Sequence, residues 1–360
     1  MTYRFAEYSP EYMSRIAELR SRVFGGDHAF STEYFEWKYE RNPYIAVPHF
    51  YVALHEDDVV AMRGFYGSRW QAGQQSGSLL IPIGGDLAVD LDHRRHKLAS
   101  RLVTFITEHM TTRGYTFLMN LSANSSSRRL QIRARYPRVA AYRTFRYGAP
   151  RTNRLTRVLQ RAKRALVGRH REAPFQRFDS WAAGSGGPIL GASQARASQM
   201  GDLVLRYADN SRIRLVRDAE FYRWRFMNPA SEYRFIYHFD DSGGLNGFLV
   251  LQSAKGGGWT TIIDWETSTP AVWNVLVNAA TMSNPKRLKI TSTAFTEDQV
   301  HSLHRLGFSL LVEPDSPSNP APGMLLHVPS NYNAGDPKIN DLRVLDASSW
   351  DIRMIASDAF

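Results

Sequence analysis

Tyr34-Phe35-Glu36-Trp37-Lys38-Tyr39, leading to Asn42-Pro43, is written a second time far downstream as Phe221-Tyr222-Arg223-Trp224-Arg225-Phe226, leading to Asn228-Pro229. Both copies read aromatic, aromatic, charged, Trp, basic, aromatic. Both continue through a strand-like segment to Gly-Phe, at Gly64-Phe65 and Gly247-Phe248. The separation is too large for one unit of a solenoid, whose periods are roughly 20–50 residues. It predicts two copies of one domain, with the function lying in or between them.

Composition agrees with that reading. The chain has 360 residues, 43% of them hydrophobic and 12% aromatic, enough for two folded domains with a core each. It has no cysteine, which excludes disulfides, thiolate metal sites and a cysteine acyl-enzyme, and fits a reducing compartment. The opening residues lack the apolar core of a signal peptide, and no stretch is long enough to span a bilayer, so a cytoplasmic protein is expected. The formal charge of +11 is local. Residues 151–171 carry Arg151, Arg154, Arg157, Arg161, Lys163, Arg164, Arg169 and Arg171 with no acid among them, and the rest of the chain is close to balanced.

Hydrophobic periodicity divides the chain into a domain over 1–150, a basic amphipathic helix and Gly-rich linker over 151–193, a second domain over 194–330 and a tail over 331–360 that packs on the body. In the first domain Tyr12, Ile16, Leu19 and Val23 mark a helix, and Ser31-Thr32-Glu33 caps the helix that carries the Trp motif. A hairpin turns at Glu56-Asp57-Asp58. A strand over 79–89 bends at Gly84-Gly85, a helix runs over 100–109, and strands occupy 116–121 and 139–147. The second domain repeats the order: a hairpin around 240–244, a strand at 260–266, helices over 271–282 and 296–305, and closing strands at 308–313 and 323–328. The fold class expected is α/β (α+β), each domain a mixed, mostly antiparallel sheet flanked by helices. The aromatic residues around Trp37 and Trp224 read as core packing. His93 and His96 stand three apart at a helix start without further ligands at metal spacing, so no metal site is expected.

The junction Asp86-Leu87-Ala88-Val89-Asp90-Leu91-Asp92-His93-Arg94, a strand running at once into a helix, resembles the acyl-CoA-binding core of the GNAT (GCN5-related N-acetyltransferase) superfamily, and the Trp and Asn-Pro repeat resembles its tandem members. The resemblance implies a strand that splays from its neighbour at a bulge, so that the amides of Leu87, Ala88 and Val89 pair with the pantetheine arm. It also implies a helix start that receives the pyrophosphate. The family pattern Gln/Arg-x-x-Gly-x-Gly/Ala falls on Arg94, Arg95, His96, Lys97, Leu98 and Ala99, where Lys97 replaces the middle glycine. Asn120 and Asn124 are further donor-binding candidates.

GNAT enzymes need a base for the ammonium proton and an acid for the thiolate. Asp86, at the expected bulge, is the candidate base. The tyrosine that such enzymes place after the fifth strand is Gln131 here and Leu303 in the second copy, so either a non-equivalent group such as Tyr136, Ser122 or Ser125 serves, or the thiolate leaves without a strong acid. In the second copy Glu266-Thr267-Ser268-Thr269-Pro270 has no basic or glycine loop, so that half is expected to form the acceptor wall. Asp264 and Glu266 share one face of their strand with Trp265 opposite, as an acceptor-binding set. The reading is an N-acyltransferase moving an acyl group from acyl-CoA, acetyl-CoA included, or an acyl carrier protein to an amine of a small metabolite, sugar or peptide in a biosynthetic pathway. Two alternatives stay open: a tRNA-dependent aminoacyl transferase of the Fem-like type, and a non-catalytic binding protein. The basic segment 151–171 fits an anionic membrane surface, a carrier protein, tRNA, or no partner.

Overall fold

The repeated hexapeptides sit at two capped helix ends. In the computed structural model, which describes residues 2–73, 77–121, 130–132, 136–148, 175–184, 188–254, 259–283, 287–312, 323–328 and 337–357, helix α1 spans Met13–Phe24 and α2 spans His28–Phe35. The cap of α2 is Asp27, whose carboxylate accepts from Phe30 N at 2.7 Å, so the helix starts ahead of the expected Ser31-Thr32-Glu33. The chain then widens into a π-turn, Glu36–Glu40, which buries Trp37, Lys38 and Tyr39 in succession. The second copy lies along a helix, Ala219–Arg225, capped in the same manner, Asp218 accepting from Phe221 N at 2.9 Å.

The two motifs meet. The indole rings of Trp37 and Trp224 stack with centroids 5.4 Å apart and planes 12° from parallel. Trp37 Nε1 donates to Trp224 O at 2.9 Å, and Trp224 Nε1 donates to Trp37 O at 2.8 Å. The reciprocity places a local two-fold relation between the copies. Both Asn-Pro turns then close alike, the Asn42 side chain accepting from Tyr44 N and the Asn228 side chain from Ala230 N.

Each copy builds a seven-stranded sheet. The first runs β1 (Arg4–Glu7), β2 (His49–His55), β3 (Asp58–Tyr66), β6 (Ile83–Val89), β7 (Leu118–Asn120), β17 (Gly323–His327), β8 (Arg138–Ala141). The second runs β10 (Ile189–Ala192), β12 (Ser231–Phe239), β13 (Leu245–Ala254), β14 (Thr260–Thr267), β15 (Leu288–Ser292), β9 (Arg143–Tyr147), β16 (Ser309–Val312). The pairing is mostly antiparallel; β6 with β7 and β14 with β15 are parallel. The sixth place in each sheet is filled by the other half of the chain. The run expected as one strand over 139–147 breaks at Tyr142, after which β9 leaves for the second sheet; β17 crosses back to the first. Strand pairing thus crosses the boundaries drawn at 150 and 194.

Helix α3 (Leu98–Thr112) lays Leu102, Val103, Ile106 and Met110 on one face of the first sheet. Helices α4 (Gln176–Gly184), α5 (Ala197–Tyr207), α6 (Ala219–Arg225), α7 (Pro270–Ser283) and α8 (Glu297–Arg305) follow, and α7 covers the second sheet with Val272, Trp273, Leu276 and Val277. The largest core is continuous across the copies, joining Trp37, Phe50 and Met62 to Tyr222, Trp224 and Phe235. A small sheet, β20 (Trp350–Asp351), β11 (Ile213–Leu215), β4 (Arg69–Ala72), β5 (Leu79–Leu80), and a short hairpin, β18 (Lys338–Ile339) with β19 (Leu342–Arg343), complete the fold. The tail lies against both halves: Tyr66 OH donates to Ala356 O, and Arg225 donates to Ile355 O and Ser357 O. No helix among the described residues is long and apolar enough to cross a membrane.

Trp37→Ala is expected to destabilise the protein by about 3–5 kcal/mol through the cavity it leaves. Trp37→Phe keeps a ring and loses the indole bond to Trp224 O, which still accepts from Met227 N, so it should cost only about 0.5–1.5 kcal/mol. Urea unfolding of both, with the Trp224 counterparts and the double variants, checks the pair, which should show strong non-additivity.

Candidate functional site

The site grows from a bulge in β6. Gly64 pairs with Gly85 and Met62 with Ala88, so Asp86 and Leu87 together face Arg63 alone. Asp86 takes φ +51°, and its carboxylate turns to the face that holds the Trp motif. There Lys38 Nζ lies 2.8 Å from Asp86 Oδ2, and Tyr39 OH donates to the same oxygen at 2.5 Å. The Lys38 side chain is 1% exposed and that of Asp86 11%. The ammonium stands within about the same distance of three phenol rings, Tyr34, Tyr39 and Tyr66, at 5.2–5.3 Å. Two glycines make room for cations on both faces of the strand. A Cβ on Gly85 would stand 2.5 Å from Lys38 Nζ, and one on Gly84 2.8 Å from Arg63 Nη2.

Beyond the bulge the sheet opens. β6 and β7 pair only at Ile83 and Met119, with Asn120 Nδ2 donating to Gly84 O at 3.4 Å. Past that point Leu87 and Val89 are half-buried and Ala88 is buried. The turn that follows is held by Asp90, which accepts from Asp92 N, and by Arg94 Nε, which donates to Val89 O at 3.3 Å. Arg95 and Lys97 are both left-handed, at φ +71° and +55°. Lys97 therefore keeps the backbone shape that a glycine would take without strain, at a cost of about 1–2 kcal/mol. It precedes α3 without capping it, so the first amides of the helix have neither an intrahelical nor a side-chain cap partner. Arg94, Arg95, His96 and Lys97 are exposed around those amides, whereas Leu98 is buried and Ala99 half-buried. Open amides ringed by cations suit a diphosphate. His93 and His96 gather around Tyr3, whose hydroxyl lies 3.2 Å from His93 Nδ1. No group of three or more potential metal ligands occurs among the described residues.

The substitute acids fare differently. Tyr136 is wholly buried in the α3 face of the sheet, its hydroxyl 3.1 Å from Thr107 Oγ1. Burial raises its pKa, and Arg63 works against the rise. That hydroxyl is engaged on the helix side of the sheet, on Thr107, rather than held toward the split. Ser122, Ser125 and Asn124 lie outside the described residues, as does the basic segment 151–171.

The second copy corrects the acceptor set. Asp264 and Glu266 do share a face, but Arg217 takes both, Nη1 on Asp264 Oδ1 at 2.5 Å and Nη2 on Glu266 Oε2 at 2.8 Å. Tyr222 OH donates to the other oxygen of Asp264, and Asp264 is fully buried. Trp265 stacks in the core on Phe295. Arg353 Nη1 stands 3.6 Å from Asp264 Oδ1 and from Glu266 Oε2, so two guanidinium groups face the two carboxylates and answer the charge an ammonium ligand would need. Glu266 alone reaches a cavity, about 470 Å³, at the start of α7, bordered also by Ser268, Asn274, His301 and Arg353. The split between β14 and β15, the counterpart of the one beside β6, is crossed by the tail: Thr293 N donates to Ile352 O at 3.1 Å, and Arg353 Nη1 donates to Trp265 O.

Sequence reasoning missed Lys38, Arg63 and Arg217. Lys38 was hidden in an aromatic run read as packing. Arg63 did leave a signal, as the one charge inside the apolar run from Val59 to Tyr66. Arg217→Met is expected to destabilise the protein by about 3–5 kcal/mol, since two buried carboxylates lose their main partner. Exposed control substitutions such as Arg41→Met should cost far less in the same denaturation series.

Residues 4–129 match the family model of the acetyltransferase (GNAT) domain. No protein of curated function matches the sequence. Among solved structures, a conserved protein of unknown function from Enterococcus faecalis V583, described as a probable N-acyltransferase, superposes with a TM-score of 0.62 at 12% identity, over 91% of this chain and 72% of that one. A GCN5-related N-acetyltransferase from Anabaena variabilis gives 0.57 at 12% identity, over 91% and 73%. Another from Kribbella flavida gives 0.54 at 14%, over 91% and 71%. These likenesses concern the fold.

Proposed function

From a chain whose residues 4–129 are a GNAT acetyltransferase domain, we propose an N-acyltransferase that takes its acyl group from acyl-CoA in the first copy and passes it to an amine. The observation that carries the reading is the split between β6 and β7 ending on a cationic loop and an uncapped helix start. Arg94, Arg95, His96 and Lys97 would hold the diphosphate, and the amides of Leu87 to Val89 the pantetheine arm. The bound thioester supplies an activated acyl carbon.

On the opposite face of the strand Asp86 is the base, able to accept the proton that the amine loses. Lys38 and Tyr39 fix one of its oxygens and leave the other to the acceptor. The second copy serves as support and as part of the acceptor's surroundings. Its own split, crossed by Ile352 and Arg353, argues against a second donor site there. The acceptor class remains an amine of a small metabolite, sugar or peptide, within a biosynthetic route.

Acetyl-CoA should raise the melting temperature, a ligand at a hundred times its Kd adding about 2.7 kcal/mol. Arg94→Glu should abolish that shift while the apo protein melts as the parent does. Lys97→Gly should relieve the left-handed strain yet weaken CoA binding about 10–100-fold through loss of a charged hydrogen bond. Undiminished binding by Arg94→Glu would remove the diphosphate from this loop. No shift with any acyl-CoA, together with steeply salt-dependent tRNA binding, would replace the donor altogether.

A further inference from the structure

Arg63 is 1% exposed, and its three guanidinium nitrogens have no hydrogen-bond or ion-pair partner among the described residues. It lies on the α3 face of the first sheet, against the rings of Phe65 at 4.9 Å and Tyr136 at 5.9 Å, with Nη2 over Gly84. The charged or titratable groups facing it are Tyr136 and Tyr39, both phenols, and neither supplies a negative charge at neutral pH. Lys38 and Asp86 pair with each other across the strand, on the face of the Trp motif. An uncompensated buried cation is costly, and a fold retains one where a ligand brings the missing anion. Its location narrows that anion. Gly84 follows the one point at which β6 and β7 still pair, so the guanidinium stands at the throat of the split, beside the bulge that carries Asp86.

We propose that Arg63 binds the donor's sulfur as it departs as a thiolate, in place of the acid that Gln131 and Leu303 do not provide. This rests on the acyltransferase reading. The amine nitrogen bonds to the acyl carbon, the carbon–sulfur bond breaks, and its electron pair stays on sulfur. The proton lost from nitrogen goes to Asp86, and solvent protonates the thiolate once it leaves. Arg63 transfers no proton; it contributes a fixed positive charge where negative charge appears.

The test needs no acceptor. The thiol of CoA bound to the protein is titrated by its thiolate ultraviolet absorbance. In the parent its pKa should fall by about 1–3 units below the ordinary thiol value, as for any acid beside an opposite charge. Arg63→Met should restore the ordinary value, and Arg63→Lys, which keeps the charge, should retain part of the shift. Acetyl-CoA, which carries no anion at that point, should bind parent and Arg63→Met alike. CoA that binds the parent with an ordinary thiol pKa overturns the role of Arg63 and leaves the donor site standing. Loss of succinyl-CoA binding in Arg63→Met, with the thiol pKa unmoved, also overturns it and assigns the cation to an acyl carboxylate. Failure of the parent to bind either CoA or acetyl-CoA overturns the donor reading and this proposal together.

Discussion

The stacked, mutually hydrogen-bonded indoles of Trp37 and Trp224 are the constraint from which the rest of the architecture follows. Each ring buries its apolar surface on the other, and each N–H donates to the main-chain carbonyl of the opposite tryptophan. A pair that works in both directions requires two nearly identical backbones meeting head to head. That explains why the hexapeptide is kept in both copies although its charged members differ. It also fixes the residue that follows. Lys38 is sent to the bulge of the first sheet, while its counterpart Arg225 turns to the tail, on Ile355 O and Ser357 O.

From that shared frame the copies part company electrically. In the first, one buried cation meets one carboxylate, and a second cation, Arg63, meets none. In the second, Arg214, Arg217 and Arg353 stand against Asp264, Glu266 and Asp351, three cations to three carboxylates. The acyltransferase proposal accordingly puts the chemistry in the copy whose charges are incompletely answered, and support in the one whose charges are. The formal surplus of +11 has no part in this contrast, because most of it resides in residues 151–171.

Much of this was legible in the chain itself. The repeat, the mixed fold, the bulge at Asp86 just past Gly84-Gly85 and the strand-to-helix junction at Asp86 to Ala99 depend on local pattern, which a sequence carries openly. Lys97 was marked as standing in for a glycine, but its left-handed backbone came only with the structure. What escaped depended on distant partners. Asp264 and Glu266 alternate as two carboxylates on a hydrated strand would, and only folding reveals Arg217 between them. Tyr136 and Thr107 meet across a sheet-to-helix contact that no spacing predicts. The exchange of β9 and β17 was invisible for another reason: an apolar strand reads the same whichever sheet receives it.

That exchange bears on how the protein can be made. A ribosome releases residues 143–147 long before β15 and β16 exist to receive them, and the first sheet waits for residues 323–327 before its gap beside β7 closes. Until then β9 and the β7 edge of the first sheet stand open, the condition that invites mispairing with other chains. A duplication of two self-sufficient folds would have had no such delay. By trading strands the halves gave up independent birth, and the finished molecule gained a joint that cannot be separated without opening both sheets.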